Sequence, residues 1–328
     1  MKINMDRRLF YLLIFFTVLA LLPLGLGGNG YIMHLLIICL LWSVVATNWD
    51  LVLGYGGIFN FGTIAFFVIG AYASALFGKN LGVSPWAGLF IGGGIASGVG
   101  TLISLPCMRL RGAYVALVTL ALHETLSPLI RAGRPIGTGG VGSMVGIPPF
   151  SVGDYVFSAM DRVPPYYVAL VIFCLTIFAV YKIINSRFGL AFVALRDAEP
   201  FAKNLGIDDF RSKLTLFAIS SFFVGLAGAF YAHYLGLISP ALLGFDLFIL
   251  ILVMIIVGGL GRFPGPIIGA FIFTFLNEFL RPLEEFRPVV LGGLAIAIMM
   301  GSPEGLMGIP DYFRRWRSQR LKTRKGLT

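Results

Sequence analysis

Charged residues are scarce in this sequence of 328 residues. Only 12% of them are Asp, Glu, Lys or Arg, and 58% are apolar, whereas about 25% of an average soluble domain is charged. A chain of this composition has too few polar groups to cover a surface in water, which excludes a soluble globular protein and indicates lipid as the solvent. Because a membrane-spanning helix needs about 20 apolar residues, the length allows about ten such helices and no large soluble domain.

The sequence also lacks the motifs of common metal, redox and nucleotide sites. The three cysteines stand singly in apolar runs without a C-x-x-C pair, so we expect buried thiols. His123-Glu124 has no second histidine at the spacing of a zinc protease, and no G-x-x-x-x-G-K-[ST] pattern for ATP is present. A lipid-modifying enzyme would need a converging catalytic set, and none is evident around the histidines. We therefore expect no enzyme activity, no metal and no cofactor.

Long apolar runs recur along the chain and predict an all-α, polytopic membrane protein of about ten helices, some of them short or broken at Gly or Pro. The first run follows Lys2, Arg7 and Arg8, and a signal peptide is the alternative interpretation of it. Because its 18 residues are long for the apolar part of a signal peptide, we favour a membrane span that is retained in the protein. The predicted spans are 9–26, 31–53, 58–77, 86–105, 113–130, 166–184, 214–235, 244–261, 264–280 and 288–302.

The positions of lysine and arginine predict the orientation. When the N-terminus is placed in the cytoplasm and ten spans alternate, nineteen of the 25 Lys and Arg residues fall on the cytoplasmic side. Cytoplasmic loops of membrane proteins carry such an excess of positive charge. We therefore predict that both termini face the cytoplasm.

Two segments between spans are longer than a turn. Residues 131–165 are rich in Gly and Pro and are predicted outside, and residues 185–213 are charged and are predicted inside. We predict one transmembrane domain over 1–313 and a basic cytoplasmic tail over 314–328. Attraction to anionic lipid at the inner membrane surface explains the positive charge of the tail, and Trp316 is a residue type enriched at that interface. We prefer this explanation to a nucleic-acid contact.

The cytoplasmic segment contains a candidate docking element. Between residues 187 and 206, apolar residues recur among charges at helical spacing, and Gly206 is suited to ending a helix. The pattern predicts a short amphipathic helix, with one face on the bundle and the other free for a cytosolic partner. A solvated interfacial loop is the alternative.

Polar residues inside the predicted spans are candidates for a translocation path, since they are costly in lipid. Asn60 and Thr63 lie on the third span, and His123 and Glu124 lie on the fifth. A structural pair is an equal alternative for His123 and Glu124. Glu278 is near the outer end of its span, where interfacial water can solvate it.

Six short motifs, in order over about residues 50–310, resemble conserved stretches of the branched-chain amino acid permeases, a branch of the binding-protein-dependent ABC importers. They are Gly54-Tyr55-Gly56-Gly57 with Phe61-Gly62, Leu110-Arg111-Gly112-Ala113-Tyr114, Thr138-Gly139-Gly140 with Gly146-Ile147-Pro148, Gly225-Leu226-Ala227-Gly228-Ala229, Gly258-Gly259-Leu260-Gly261 with Gly265-Pro266, and Pro303-Glu304-Gly305-Leu306.

The resemblance implies a permease subunit that forms the path for branched-chain or related hydrophobic amino acids. It also implies two cytoplasmic ATP-binding subunits, a second homologous permease subunit and an extracytoplasmic substrate-binding protein. In such importers a cytoplasmic loop docks into the ATPase, and Ala202 and Gly206 keep the Ala-x-x-x-Gly part of its pattern. The resemblance therefore assigns the coupling role to Arg196, Asp197, Glu199, Ala202 and Gly206.

The sequence departs from the family pattern at two positions. Thr63 stands where the family often has His, and Ser302 stands where an Arg commonly precedes the Pro-Glu-Gly motif. The role of Thr63 in a path is therefore open. A permease for urea, amides or another small polar solute is an alternative, and an ion-coupled secondary transporter is a further one.

Overall fold

The fold was analysed in a computed structural model, which describes residues 17–23, 25, 29–110, 112–140, 142–157, 161–302 and 305–308. These residues are mostly helical, as predicted. Most of the predicted span 9–26 and the whole tail 314–328 lie outside them. Arg111 and the Pro303-Glu304 pair of the motifs also lie outside them.

The helices follow one another in chain order with short connections. They are α1 (Gly30–Asp50), α2 (Thr63–Leu81), α3 (Pro85–Cys107), α4 (Ala113–Ala132), α5 (Val163–Ile184), α6 (Arg187–Asn204), α7 (Asp209–Leu235), α8 (Phe245–Gly259), α9 (Gly265–Phe279) and α10 (Arg287–Gly301). A π-helical turn, Leu51–Tyr55, continues α1, and 3₁₀ turns occur at Arg134–Ile136, Pro240–Leu243, Arg281–Phe286 and Leu306–Gly308. The strands are β1 (Met144–Val145), β2 (Ser151–Val152), β3 (Tyr155–Val156) and β4 (Leu237–Ile238).

Seven helical stretches in the described part of the chain are long and apolar enough to cross a membrane. They are α1 with its π-helical turn, α2 to α5, α7 and the stretch Arg287–Gly308 that begins with α10. α8 and α9 have 15 residues each, or about 22 Å at 1.5 Å per residue, less than the hydrocarbon core of ~30 Å. The chain is a multi-pass membrane protein by these measures, and the count of ten spans stays a prediction.

Polar side chains cap the N-termini of several helices. They accept hydrogen bonds from backbone N–H groups that have no partner within the helix. Asn29 Oδ1 accepts from Tyr31 N at 3.1 Å, Ser84 Oγ from Ala87 N at 3.4 Å and Asp208 Oδ1 from Arg211 N at 3.1 Å. The last contact explains why α7 begins at Asp209, five residues before the predicted apolar run. Its first turn is polar, and hydropathy therefore does not find it.

Small residues let α2, α3 and α7 pack closely. A Cβ at Gly70 of α2 would overlap the carbonyl oxygen of Gly225 in α7, and one at Gly92 of α3 would lie 2.9 Å from the Ala229 side chain. Transmembrane helices use such positions because close backbone contact replaces the hydrophobic driving force that lipid does not supply. α1 runs beside this trio and packs on α5, α7, α8 and α9.

The predicted external segment is fastened to one end of the bundle. β1 pairs antiparallel with β4, with Met144 opposite Ile238, and β2 pairs with β3. Pro148 O lies 2.7 Å from Nδ1 of the buried His233, and Ser74 Oγ lies 2.7 Å from Nε2. A carbonyl can only accept, so Nδ1–H donates to Pro148, and Nε2 of the neutral ring accepts from Ser74. The segment is therefore held to the ends of α2 and α7.

Candidate coupling and path sites

The predicted amphipathic helix is present as α6, at the opposite end of the molecule from β1 and β4. It packs against α5, α7 and the π-helical end of α1. Phe192, Leu195 and Ala202 are buried on this side, whereas Phe201 and Leu205 are 66% and 67% exposed. The outward surface of α6 is thus apolar as well as charged, which is a surface suited to a protein partner.

A kink divides α6, and a glycine follows its end. Ala198 has non-helical dihedral angles (φ −151°, ψ 69°), two residues before Pro200. Proline has no backbone N–H to donate within a helix, so a break at this point is expected. Gly206 has a φ of +83° and its N–H donates to Lys203 O at 3.0 Å. The predicted helix end at Gly206 is therefore confirmed.

Arg196 points from α6 towards the membrane helices. Its Nη1 donates to Gly54 O at 2.6 Å, and its Nε donates to Asp197 Oδ1 at 2.8 Å. The hydrogen bond from Arg196 holds the pKa of the exposed Asp197 carboxyl below its usual value. Arg196 therefore connects α6 with the last turn of α1, 142 residues earlier in the chain.

The end of α1 is also bound to the connection between α8 and α9. Asp50 Oδ1 accepts from Gly261 N at 2.7 Å, and the Tyr55 hydroxyl accepts from Phe263 N at 2.9 Å. A Cβ on Gly54 would overlap the Asp50 carboxylate and the backbone of Gly261, so glycine is required there. We call the set Asp50, Gly54, Tyr55, Arg196, Gly261 and Phe263 the inner junction. It joins α6, α1 and the α8–α9 connection.

A chain of ion pairs links α6 to α7. Lys203 Nζ lies 2.5 Å from Glu199 Oε1 and 3.2 Å from Asp209 Oδ2, and Lys213 Nζ lies 2.8 Å from Asp209 Oδ1. The hydrogen bonds to Glu199 and Asp209 raise the pKa of Lys203. Exposed ion pairs contribute little stability, so we regard this chain as fixing the angle between the two helices.

Asn60 and Thr63 lie together where α2 begins. Asn60 Nδ2 donates to Thr63 Oγ1 at 3.3 Å, and Asn60 Oδ1 accepts from Gly62 N at 2.9 Å. Thr119 Oγ1 of α4 accepts from Phe61 N at 2.9 Å. Asn60, Thr63 and Thr119 are all buried. These polar groups satisfy backbone donors at a helix start that has no cap residue.

His123 lies one turn further along α4 than Thr119 and is buried. Its Nε2 lies 3.1 Å from Leu243 O, and a carbonyl only accepts, so Nε2 carries the proton. Nδ1 has no hydrogen-bond partner among the described residues. The ring of Phe248 lies 5.8 Å from the His123 ring and 5.4 Å from that of Phe61. The structure thus brings Asn60, Thr63 and Thr119 into one polar cluster, and no hydrogen bond among the described residues joins His123 to it.

Glu124 does not join this cluster. It is exposed on the surface of α4, while its neighbour His123 is buried, since successive residues of a helix point about 100° apart. Among the described residues, no hydrogen bond or ion pair joins His123 to Glu124, and the choice between a structural pair and a path role for them stays a prediction. A carboxylate on the surface of an apolar helix faces water or a protein partner more readily than lipid.

Several residues of these sites do not stand out in the sequence. Thr119 sits in a run of apolar residues, and Asp50 lies near the end of the predicted span 31–53 without any motif. Gly261 belongs to a glycine motif, but no spacing in the sequence indicates that its N–H contacts Asp50. Among the described residues, no group of three or more His, Cys, Asp or Glu side chains is placed to hold a metal ion.

The whole region that holds these sites matches one protein family. A family model described as "branched-chain amino acid transport system / permease component" matches residues 31–300, from α1 to the last turn of α10. The chain belongs to this family. The resemblance seen in the six motifs is thereby confirmed.

Named relatives agree with this assignment. The high-affinity branched-chain amino acid transport system permease protein LivM of Escherichia coli (strain K12) is 32% identical over 285 residues, which are 80% of this chain and 65% of the relative. LivH of the same strain, named as a permease of such a system, is 26% identical over 82% of this chain and 92% of the relative. The probable LivM of Methanocaldococcus jannaschii is 23% identical over 81% and 90%.

These homologues are permease components of branched-chain amino acid transport systems. The chain spans only 65% of the length of the E. coli LivM protein that it matches. No solved structure matches the chain.

Proposed function

We propose that this chain is a permease subunit of an ABC importer and forms part of the path for branched-chain or related hydrophobic amino acids. The family match over residues 31–300 carries this proposal. The names of LivM and LivH support the substrate class. Two ATP-binding subunits, a second permease and an external binding protein complete the transporter in this proposal.

In the proposed topology, ten helices cross the inner membrane and both termini are cytoplasmic. α6 and the inner junction lie at the cytoplasmic end, and the segment paired through β1 and β4 lies at the outer end. The short α8 and α9 cross with the help of flanking turns, such as Pro240–Leu243 before α8. Residues 1–313 form one transmembrane domain, and residues 314–328 rest on the inner lipid surface.

The coupling proposal gives different tasks to the residues of α6. The exposed Phe201 and Leu205 contact the ATPase, beside Asp197. Arg196 transmits the movement of α6 to α1 through Gly54. Ala202 anchors the helix in the bundle, Glu199 sets its angle through Lys203, and Gly206 ends it. Closure of the ATPases on ATP then pulls α6, and the inner junction carries the displacement to α1 and to the α8–α9 connection.

The path proposal rests on the two least covered spans. In the most apolar 18 residues of each span, 28% of the residues of α4 and 25% of those of Arg287–Gly308 are buried, whereas 67% of those of α1 are buried. We infer that these two surfaces meet the second permease and that Glu124 faces the water between the subunits. Behind this surface, the buried Thr119 holds α4 to the start of α2 through Phe61 N, and His123 holds it to the turn before α8 through Leu243 O.

Uptake by whole cells tests the substrate class. A strain that lacks the gene is complemented with the wild-type gene or an empty vector, and the entry of labelled leucine and labelled urea is followed. The proposal predicts that the gene restores leucine uptake and leaves urea uptake unchanged. Restoration of urea uptake alone, or of neither, contradicts it.

A further inference from the structure

A cavity lies at the opposite end of the molecule from α6. Its volume is about 480 Å³, which is within the range of sites for small molecules. Its residues come from β4 and the Pro240–Leu243 turn, from α8 and from the first turn of α10. β4 pairs with β1 of the segment 131–165, so the cavity opens at the end that is external in the proposed topology.

The walls of the cavity are mostly apolar. Leu250 and Val253 of α8 and Trp42 of α1 line it. Val253 is seven residues beyond Asp246, which is about 10 Å deeper along the helix at 1.5 Å per residue. The apolar part therefore lies below the level of the first turn of α8.

Two opposite charges line the same cavity, Asp246 and Arg287, together with Asn277. Within the part of the chain that the structure describes, neither Asp246 nor Arg287 makes an ion pair or a side-chain hydrogen bond. The nearby Glu278 accepts from the Tyr31 hydroxyl at 2.5 Å and from Arg281 at 3.1 Å, and the positive charge of Arg287 also acts on it without a direct contact.

Helix stability does not explain this pair of charges. Asp246 is in the first turn of α8 but caps no backbone N–H. Arg287 begins α10, and a positive charge at a helix N-terminus is unfavourable. A bound carboxylate would offset that unfavourable charge and pair with the guanidinium in a two-point contact.

We propose that this cavity is an outer binding site for a zwitterionic amino acid with an apolar side chain. Asp246 binds the ammonium group, Arg287 binds the carboxylate, and the apolar side chain lies on Leu250 and Val253. One positive and one negative protein group beside an apolar wall match the three parts of such a molecule. The inference rests on the proposed function and adds a place on this chain where the substrate is held.

Binding to the purified complete transporter in nanodiscs, without its binding protein, tests the site. Labelled leucine is the probe, and two competitors each lack one charge: leucinol lacks the carboxylate and 4-methylpentanoate lacks the ammonium group. The variants are Asp246→Asn and Arg287→Gln, and Arg281→Gln is the matched control because Arg281 pairs with Glu278 and is not part of the cavity.

The proposal predicts that each cavity variant weakens leucine binding about tenfold or more, which corresponds to about 1.4 kcal/mol, and that the control does not. Arg287→Gln should also lose the preference for leucine over leucinol, and Asp246→Asn the preference over 4-methylpentanoate. A merely structural role would not move these preferences separately.

Three results overturn the site. The first is equal leucine binding by the wild type and the cavity variants. The second is an absence of saturable leucine binding to a wild-type transporter that does take up leucine. Either result rules out the site but leaves the proposed function standing. If the wild type neither binds leucine nor takes it up, both the site and the proposed function are wrong.

Discussion

At the scale of the residue, a substitution of Arg196 tests whether the inner junction couples α6 to the membrane helices. Its guanidinium reaches a backbone carbonyl of α1 and a carboxylate of α6 at once, a geometry that a glutamine cannot reproduce. Arg196→Gln should leave the ATP-binding subunits attached, because Phe201 and Leu205 still contact them. It should reduce leucine-stimulated ATP hydrolysis and leucine uptake about tenfold, the effect of losing one hydrogen bond between charged or partly charged groups.

The matched control is Arg187→Gln. Arg187 begins the same helix, is exposed, and makes no side-chain hydrogen bond or ion pair with another described residue. Its ATP hydrolysis and uptake should equal those of the wild type. If Arg196→Gln also matched the wild type in both measurements, the inner junction would have no part in coupling.

The residues of these sites were only partly predictable from the sequence. Asn60, Thr63 and His123 were chosen as candidates because polar groups are costly in spans; all three are buried, and their part in a path stays a prediction. The contact between Arg196 and Gly54 joins positions far apart in the chain, and one sequence does not encode which distant backbone carbonyl a side chain meets. His123 is buried and Glu124 is exposed because the neighbouring helices cover only one side of α4, and the order of residues alone does not state which side that is.

At the scale of the element, the exposed surface of α6 is expected to be the contact for the ATPase. The double substitution Phe201→Asp and Leu205→Asp puts two charges where two large apolar side chains now face outward. Central apolar anchors contribute most of the affinity of an interface, so ATP-binding subunits recovered with the tagged chain should fall at least about tenfold. Quantitative pull-down from solubilised membranes measures this.

Val156→Asp is the control for that substitution. Val156 is also exposed and apolar, but it lies in β3, at the opposite end of the molecule from α6. Recovery of the ATP-binding subunits should be unchanged. Equal recovery with the α6 variant would show that the ATPase docks elsewhere.

The elements themselves were largely predictable, because each predicted span from 31–53 onward coincides with a helix in the described part of the chain. Cap residues set the boundaries that hydropathy missed, as Asp208 does for α7. The kink at Ala198 and the strand pairing of β1 with β4 depend on packing at the ends of the bundle. No local pattern in the sequence describes that packing.

At the scale of the whole molecule, composition and charge predicted a helical membrane protein, and the family match gave it a class. Two further features cannot be read from composition: the exposed apolar and charged surface of α6 at one end of the molecule, and a cavity lined by two opposite charges at the other. In the proposed assembly, the uncovered surfaces of α4 and α10 meet the second permease subunit. A subunit that forms half of a path, and does not energise it, accounts for all of these features.

The most direct test of that claim separates ATP from ion gradients as the energy source. Proteoliposomes with the complete transporter, and others with this chain alone, are assayed for entry of labelled leucine from the side of the binding protein. The account predicts uptake only by the complete transporter, only with ATP on the side of the ATP-binding subunits, and without loss when ionophores collapse ion gradients. Leucine uptake by this chain alone, driven by a sodium or proton gradient without ATP, would contradict it.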